Sequence, residues 1–109
     1  MNDIYVDDFG KGFPLVLVHG YLGSSEMWTL QRNYLSKYFR VISPALPGFG
    51  ESYNAESLDS INNMARTVIN VIDEKKIDKF NLLGHSMGGM IVQEMTKIAG
   101  NRVNKLICF

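Results

Sequence analysis

The stretch Phe80-Asn81-Leu82-Leu83-Gly84-His85-Ser86-Met87-Gly88-Gly89 limits the possible folds more than any other part of this chain. An apolar run of strand type ends in a serine flanked two residues away on each side by glycine. Met87, Met90-Ile91, Met95 and Ile98 then recur at helical spacing over 87–99, and Gly100 supplies a stop. The glycine spacing has a steric reason. A serine on a tight strand-to-helix turn takes a strained backbone conformation, and side chains two positions away would strike the neighbouring elements. Ser86 then stands at a helix N-terminus, where unpaired N–H groups and the helix dipole favour negative charge.

The rest of the chain repeats the strand-then-helix theme. Ile4-Tyr5-Val6 marks a short edge strand, and Gly10-Lys11-Gly12 a turn. Leu15-Val16-Leu17-Val18 is apolar throughout, as a parallel strand covered on both faces requires. A helix is expected over 26–38, capped by Ser24 or Ser25, with Trp28, Gln31, Tyr34-Leu35 and Tyr38 as its buried stripe. Arg40-Val41-Ile42-Ser43 is the next strand. A second helix is expected over 58–75, capped by Ser57 or Asp59, with Ile61, Met64-Ala65, Val68-Ile69 and Ile72 facing inward. Residues 80–83 and 103–109 complete the strands. This alternation predicts an α/β fold: right-handed crossovers, a mostly parallel sheet and helices on both faces, in one domain over 1–109.

Charge and cysteine content narrow the function. Eleven basic and eleven acidic residues cancel, which gives no support to nucleic-acid binding or to an anionic membrane surface. No apolar run reaches transmembrane length, and the first residues lack the pattern of a signal peptide. The single cysteine, Cys108, excludes an intrachain disulfide within these residues and fits a reducing, cytoplasmic compartment. In an open α/β sheet, ligands bind beyond the carboxyl ends of the strands. Three loops leave those ends: 19–25, 44–52 and the turn at Ser86. They are expected to converge on a small-molecule substrate.

These motifs resemble, in order, those of the α/β-hydrolase-fold superfamily of small esterases, lactonases and C–C-bond hydrolases. His19-Gly20 closes the first apolar strand, Leu46-Pro47-Gly48-Phe49-Gly50-Glu51-Ser52 matches the G-x-G-x-S loop, and Gly84-His85-Ser86-Met87-Gly88 matches the G-x-S-x-G nucleophile elbow. The match covers the N-terminal half of such an enzyme. The resemblance implies that Ser86 is the nucleophile, and that the backbone N–H groups of Met87 and Tyr21 form the oxyanion hole. Such donors are typically worth roughly 2.7–4 kcal/mol each. Gly20 would let the backbone approach, and His19 would brace the loop. Gly84 and Gly88 would shape the elbow, and His85 would pack. No metal or organic cofactor is implied. Ala45 stands where many relatives carry Asp.

A serine needs a base oriented by a carboxylate, and in this fold both follow the serine in the chain. After Ser86 there is one acidic residue, Glu94, on a helix that leads away, and no histidine. The catalytic acid, the base and any lid are therefore expected beyond Phe109, and a further strand before Ile4. The chain reads as a fragment, inactive alone. Two alternatives stay open: a non-catalytic scaffold that pairs with a partner, and a cofactor-free haloperoxidase or C–C hydrolase. Cys108 and the methionines of the last helix are expected to be packing residues.

Overall fold

The structure, a computed structural model, describes residues 4–20, 23, 25–46 and 60–108. Its strands are β1 (Val6–Phe9), β2 (Pro14–Val18), β3 (Arg40–Pro44), β4 (Phe80–Gly84) and β5 (Val103–Cys108). Its helices are α1 (Thr29–Leu35), which follows a 3-10 turn over Ser25–Trp28, α2 (Ile61–Glu74) and α3 (Met87–Ala99). The sheet order is β1-β3-β2-β4-β5. β1 runs antiparallel to β3, and every other pair is parallel.

Handedness decides which face each helix takes. The chain steps from β2 to β3 in one direction, then crosses back over β2 to reach β4, then continues outward to β5. Right-handed crossovers that reverse direction must change face. α1 therefore lies on one face, where Trp28 is buried with Leu15, Leu17 and Val41 and Leu35 packs beside them. α2 and α3 lie on the other, over Val16, Val18, Ile42, Phe80 and Leu82. The side chains of β2 alternate between these two cores, which is why its whole run is apolar.

The stripe expected for α2 is the stripe found: Met64, Ala65, Val68, Ile69 and Ile72 are buried and Ile61 half-buried. The cap is Ser60, whose Oγ accepts from Asn63 N at 3.1 Å. Ser57 and Asp59, the caps expected from sequence, lie outside the described residues, as does Ser24. Ser25 opens the 3-10 turn, and α1 starts without a side-chain cap bond.

Three expectations need correction. Tyr34 and Tyr38 are each 61% exposed. The regular helix ends at Leu35, so Trp28 and Leu35, seven residues apart, supply the inward face. Met90 is 56% exposed, because α3 turns Gly88, Gly89, Ile91, Val92 and Met95 to the sheet instead. Cys108 is exposed, with its Sγ 3.7 Å from Gly89 O on α3. β5 is the outermost strand, and Leu106 and Ile107, which point to opposite faces, are both exposed.

The opposite end of the sheet is tied by ions. Asp8 on β1 accepts from Arg40 Nη2 at 2.7 Å, Arg40 Nε at 3.0 Å and Lys75 Nζ at 2.8 Å. The Arg40 hydrogen bond is the main reason its carboxyl titrates at about 2; Lys75 adds to the effect and partial burial opposes it. Arg32 and Tyr5 hold the buried Asp7 in the same strand, at 3.0 and 2.7 Å.

Candidate active site

β2, β3 and β4 are adjacent, so their carboxyl ends meet at one edge, at the point where the strand order reverses. Register brings them level. Val18 pairs with Gly84, and His85 N donates to Val18 O at 3.2 Å. The elbow is thereby laid directly beside the end of β2.

Ser86 is exposed at this edge with φ 58 and ψ −122. A non-glycine residue there carries strain, typically about 1–3 kcal/mol, that only a tightly packed turn sustains. Gly88 shows how tight the packing is. A Cβ on it would strike Val18 O and lie 2.7 Å from His19 O, both backbone atoms of the central strand and its exit. A Cβ on Gly84 would strike Gly88 O. The first turn of α3 therefore presses on both β2 and β4, and Ser86 is pushed outward over them. Gly88 N and Gly89 N donate to His85 O and Ser86 O, each at 2.9 Å. Met87 is the first helical residue, so its N–H belongs to the amides that have no intrahelical acceptor.

Gly20 faces the serine from β2. A Cβ added to it would lie 3.0 Å from Ser86 Cβ and 3.4 Å from Ser86 Oγ. His19 is fully buried. Its Nδ1 lies 2.7 Å from Gly20 O, and its Nε2 accepts from Leu46 N at 2.9 Å. The exits of β2, β3 and β4 thus touch one another through His19, Gly20, Leu46 and Ser86. His85 is half-buried and leads into the elbow. Tyr21 and the loop residues from Pro47 to Ser52 lie outside the described residues. Sequence places Leu46 at the head of the G-x-G-x-S loop but does not foresee its contact with His19. Leu46 contributes a backbone amide, which every residue type but proline offers, so no sequence signal marks it.

Glu94 takes part elsewhere. It accepts from Asn62 Nδ2 at 2.9 Å across the α2–α3 contact and pairs with Lys97 at 3.7 Å. These partners, Asn62 first, hold its carboxyl below the usual range. Among the described residues no cluster of three His, Cys, Asp or Glu side chains could hold a metal, and no helix is long and apolar enough to cross a membrane.

An exposed serine at positive φ on a strand-to-helix turn, with a glycine-lined neighbour, is the arrangement the sequence motifs implied. A family model described as alpha/beta hydrolase fold matches residues 14–108. The chain belongs to the alpha/beta hydrolase fold family. A pimeloyl-[acyl-carrier protein] methyl ester esterase of Legionella pneumophila (strain Corby) is 34% identical over 105 residues, covering 96% of this chain and 41% of the relative. The dihydrolipoyllysine-residue acetyltransferase component of the acetoin cleaving system of Pseudomonas putida is 39% identical over 95 residues, covering 87% and 26%. Among solved structures, a thermophilic esterase from Thermogutta terrifontis superposes with a TM-score of 0.91 at 32% identity, covering 98% and 40%. The chain therefore spans between a quarter and about two fifths of the length of these relatives.

Proposed function

We propose that Ser86 is the nucleophile of a serine hydrolase acting on an ester or related carbonyl compound. Ser86 Oγ would add to the carbonyl carbon, and the resulting oxyanion would be held by the N–H groups of Met87 and Tyr21. Collapse would expel the alcohol and leave an acyl-enzyme, which water would then hydrolyse. The observation that carries this reading is the strained, exposed Ser86 with Gly20 packed against it at the carboxyl edge of the sheet. The esterase names among the relatives support the substrate class. No cofactor enters the reaction.

The base and its orienting carboxylate must come from elsewhere. Glu94 is engaged with Asn62 and Lys97, and His19 is buried with both ring nitrogens at backbone groups. We therefore infer that residues 1–109 are one part of the hydrolase domain, and that a polypeptide supplying the acid and histidine covers β5. Support comes from the two exposed faces of β5 and from a groove of about 580 Å³ between α2, α3 and β5, lined by Met90, Glu94, Lys97 and Leu106 among others. A cytoplasmic setting fits the single cysteine.

A fluorophosphonate probe tests the assignment in a version extended to the length of the relatives. Labelling that disappears in Ser86→Ala supports it, and an unlabelled extended protein favours the scaffold alternative. The 109-residue chain alone is expected to hydrolyse no p-nitrophenyl ester; turnover lost in Ser86→Ala would overturn the need for an added half.

A further inference from the structure

β5 is the outermost strand, and the devices that keep an edge strand from pairing with another chain guard only half of it. Its ladder to β4 slips by one residue between Val103, opposite Phe80, and Leu106, opposite Leu82. The resulting bulge and Lys105 interrupt the first half. Leu106, Ile107 and Cys108 then pair regularly with Leu82, Leu83 and Gly84, and neither a charge nor a proline breaks their outer edge. Alternation sends Leu106 and Cys108 to the α3 side, where Cys108 Sγ lies 3.7 Å from Gly89 O, and Ile107 to the α1 side. All three are exposed, Ile107 by half. The other edge differs. β1 carries Asp7 and Asp8 with Arg32, Arg40 and Lys75 drawn to them, charges that an added strand would have to desolvate.

We propose that Leu106–Cys108 is an association surface for a second copy of this chain, the two β5 strands pairing antiparallel about a two-fold axis with Ile107 opposite its own copy. An axis perpendicular to the sheet runs the strands antiparallel and keeps like face with like face. Opposed residues must then share a face, so the axis passes at a residue and not between two. Centred on Leu106, the pairing would set Lys105 against Ile107 and draw in the bulge. Centred on Ile107, it sets Leu106 against Cys108 on one face and Ile107 against itself on the other, all of them apolar. The contact is closed, so it stops at two chains. A run this short buries little surface, which places the affinity in the micromolar range. The inference rests on the reading of β5 as open to another polypeptide, and it names a second occupant for that edge. Pairing with a copy and completion of the hydrolase domain exclude each other.

Sedimentation equilibrium of the 109-residue chain across micromolar concentrations supplies the test. The mass is expected to rise from one chain to two and to stop there. A single chain throughout would overturn the proposal, and so would masses growing past two, the mark of β5 pairing head-to-tail with β1. Ile107→Lys and Ile107→Glu should each weaken association about tenfold by opposing like charges, and an equimolar mixture of the two should regain it. A mixture that stays dissociated would overturn the register. Should either variant fail to fold, the unaltered chain decides through Cys108. In this register its two Cα atoms would stand about 8 Å apart, within reach of a short bis-maleimide and too far for a disulfide. A covalent dimer with that reagent is expected, and its absence refutes the pairing. None of these readouts involves Ser86. An extended protein that the probe leaves unlabelled therefore counts against the hydrolase reading alone, and a chain that stays monomeric counts against self-association alone.

Discussion

Replacing Ser86 by glycine should make the protein more stable. Ser86 holds φ 58 and ψ −122, a region that a side chain with a Cβ occupies at a cost of about 1–3 kcal/mol. Glycine removes most of that cost. It also gives the unfolded chain more freedom, which returns about 0.4–1 kcal/mol to the unfolded state. The serine makes no side-chain cap bond to α3, so its removal forfeits none. The net expectation for Ser86→Gly is a stabilisation of about 1 kcal/mol, or about 4–8 °C in Tm for a domain near this size. Ser86→Ala keeps the Cβ and the strain, and at an exposed position should change stability by no more than about 0.5 kcal/mol. Gly100 offers the reciprocal experiment. It has nearly the same backbone angles, φ 60 and ψ −127, and nothing within 4 Å of where a Cβ would sit. Gly100→Ala should therefore cost about 1–3 kcal/mol through conformation alone. Urea unfolding followed by the fluorescence of Trp28 measures all three. If Ser86→Gly proves no more stable than Ser86→Ala, the elbow does not store strain and the reasoning fails.

Gly88→Ala should be far worse than an ordinary helix substitution. Its Cβ would meet backbone oxygens of Val18 and His19, which cannot swing aside, and a loss of about 3 kcal/mol is expected, read from the same urea curves. Stability should also fall in acid through Asp8. Its carboxyl titrates at about 2 in the folded protein against 3.8 unperturbed, so its contribution is complete above about pH 4 and lost as pH falls toward 2. Solvent screening at this partly exposed site keeps that contribution to about 1 kcal/mol. Asp8→Asn should lower stability at neutral pH and flatten the decline between pH 4 and 2. A decline of unchanged steepness in that variant would locate the acid sensitivity elsewhere.

Much of this protein is legible from residue order alone. The runs at Leu15–Val18 and at Phe80-Asn81-Leu82-Leu83 read as buried strands because both their faces are covered. The α2 stripe was clear because its helix packs one whole face on the sheet, whereas α1 misled. Two aromatics at helical spacing beside Trp28 look like core, but Tyr38 lies beyond the end of α1 at Leu35, and Tyr34, within α1, is exposed while its neighbour Leu35 packs on the Trp28 cluster. Burial of β5 could not be read either, since an apolar strand sequence does not say whether anything covers it. Cys108 went astray for the same reason.

Sequence by itself determined the alternating α/β architecture, the strand-to-helix turn at Ser86 and its glycine spacing, because periodicity and turn sterics act over a few neighbouring residues. Tertiary structure alone decided that Gly20 lies against Ser86, that Gly88 presses on β2, and that His19 reaches the Leu46 amide. Those contacts join residues tens of positions apart, through strand order and register, and two of the three end on backbone atoms that carry no residue-specific signature.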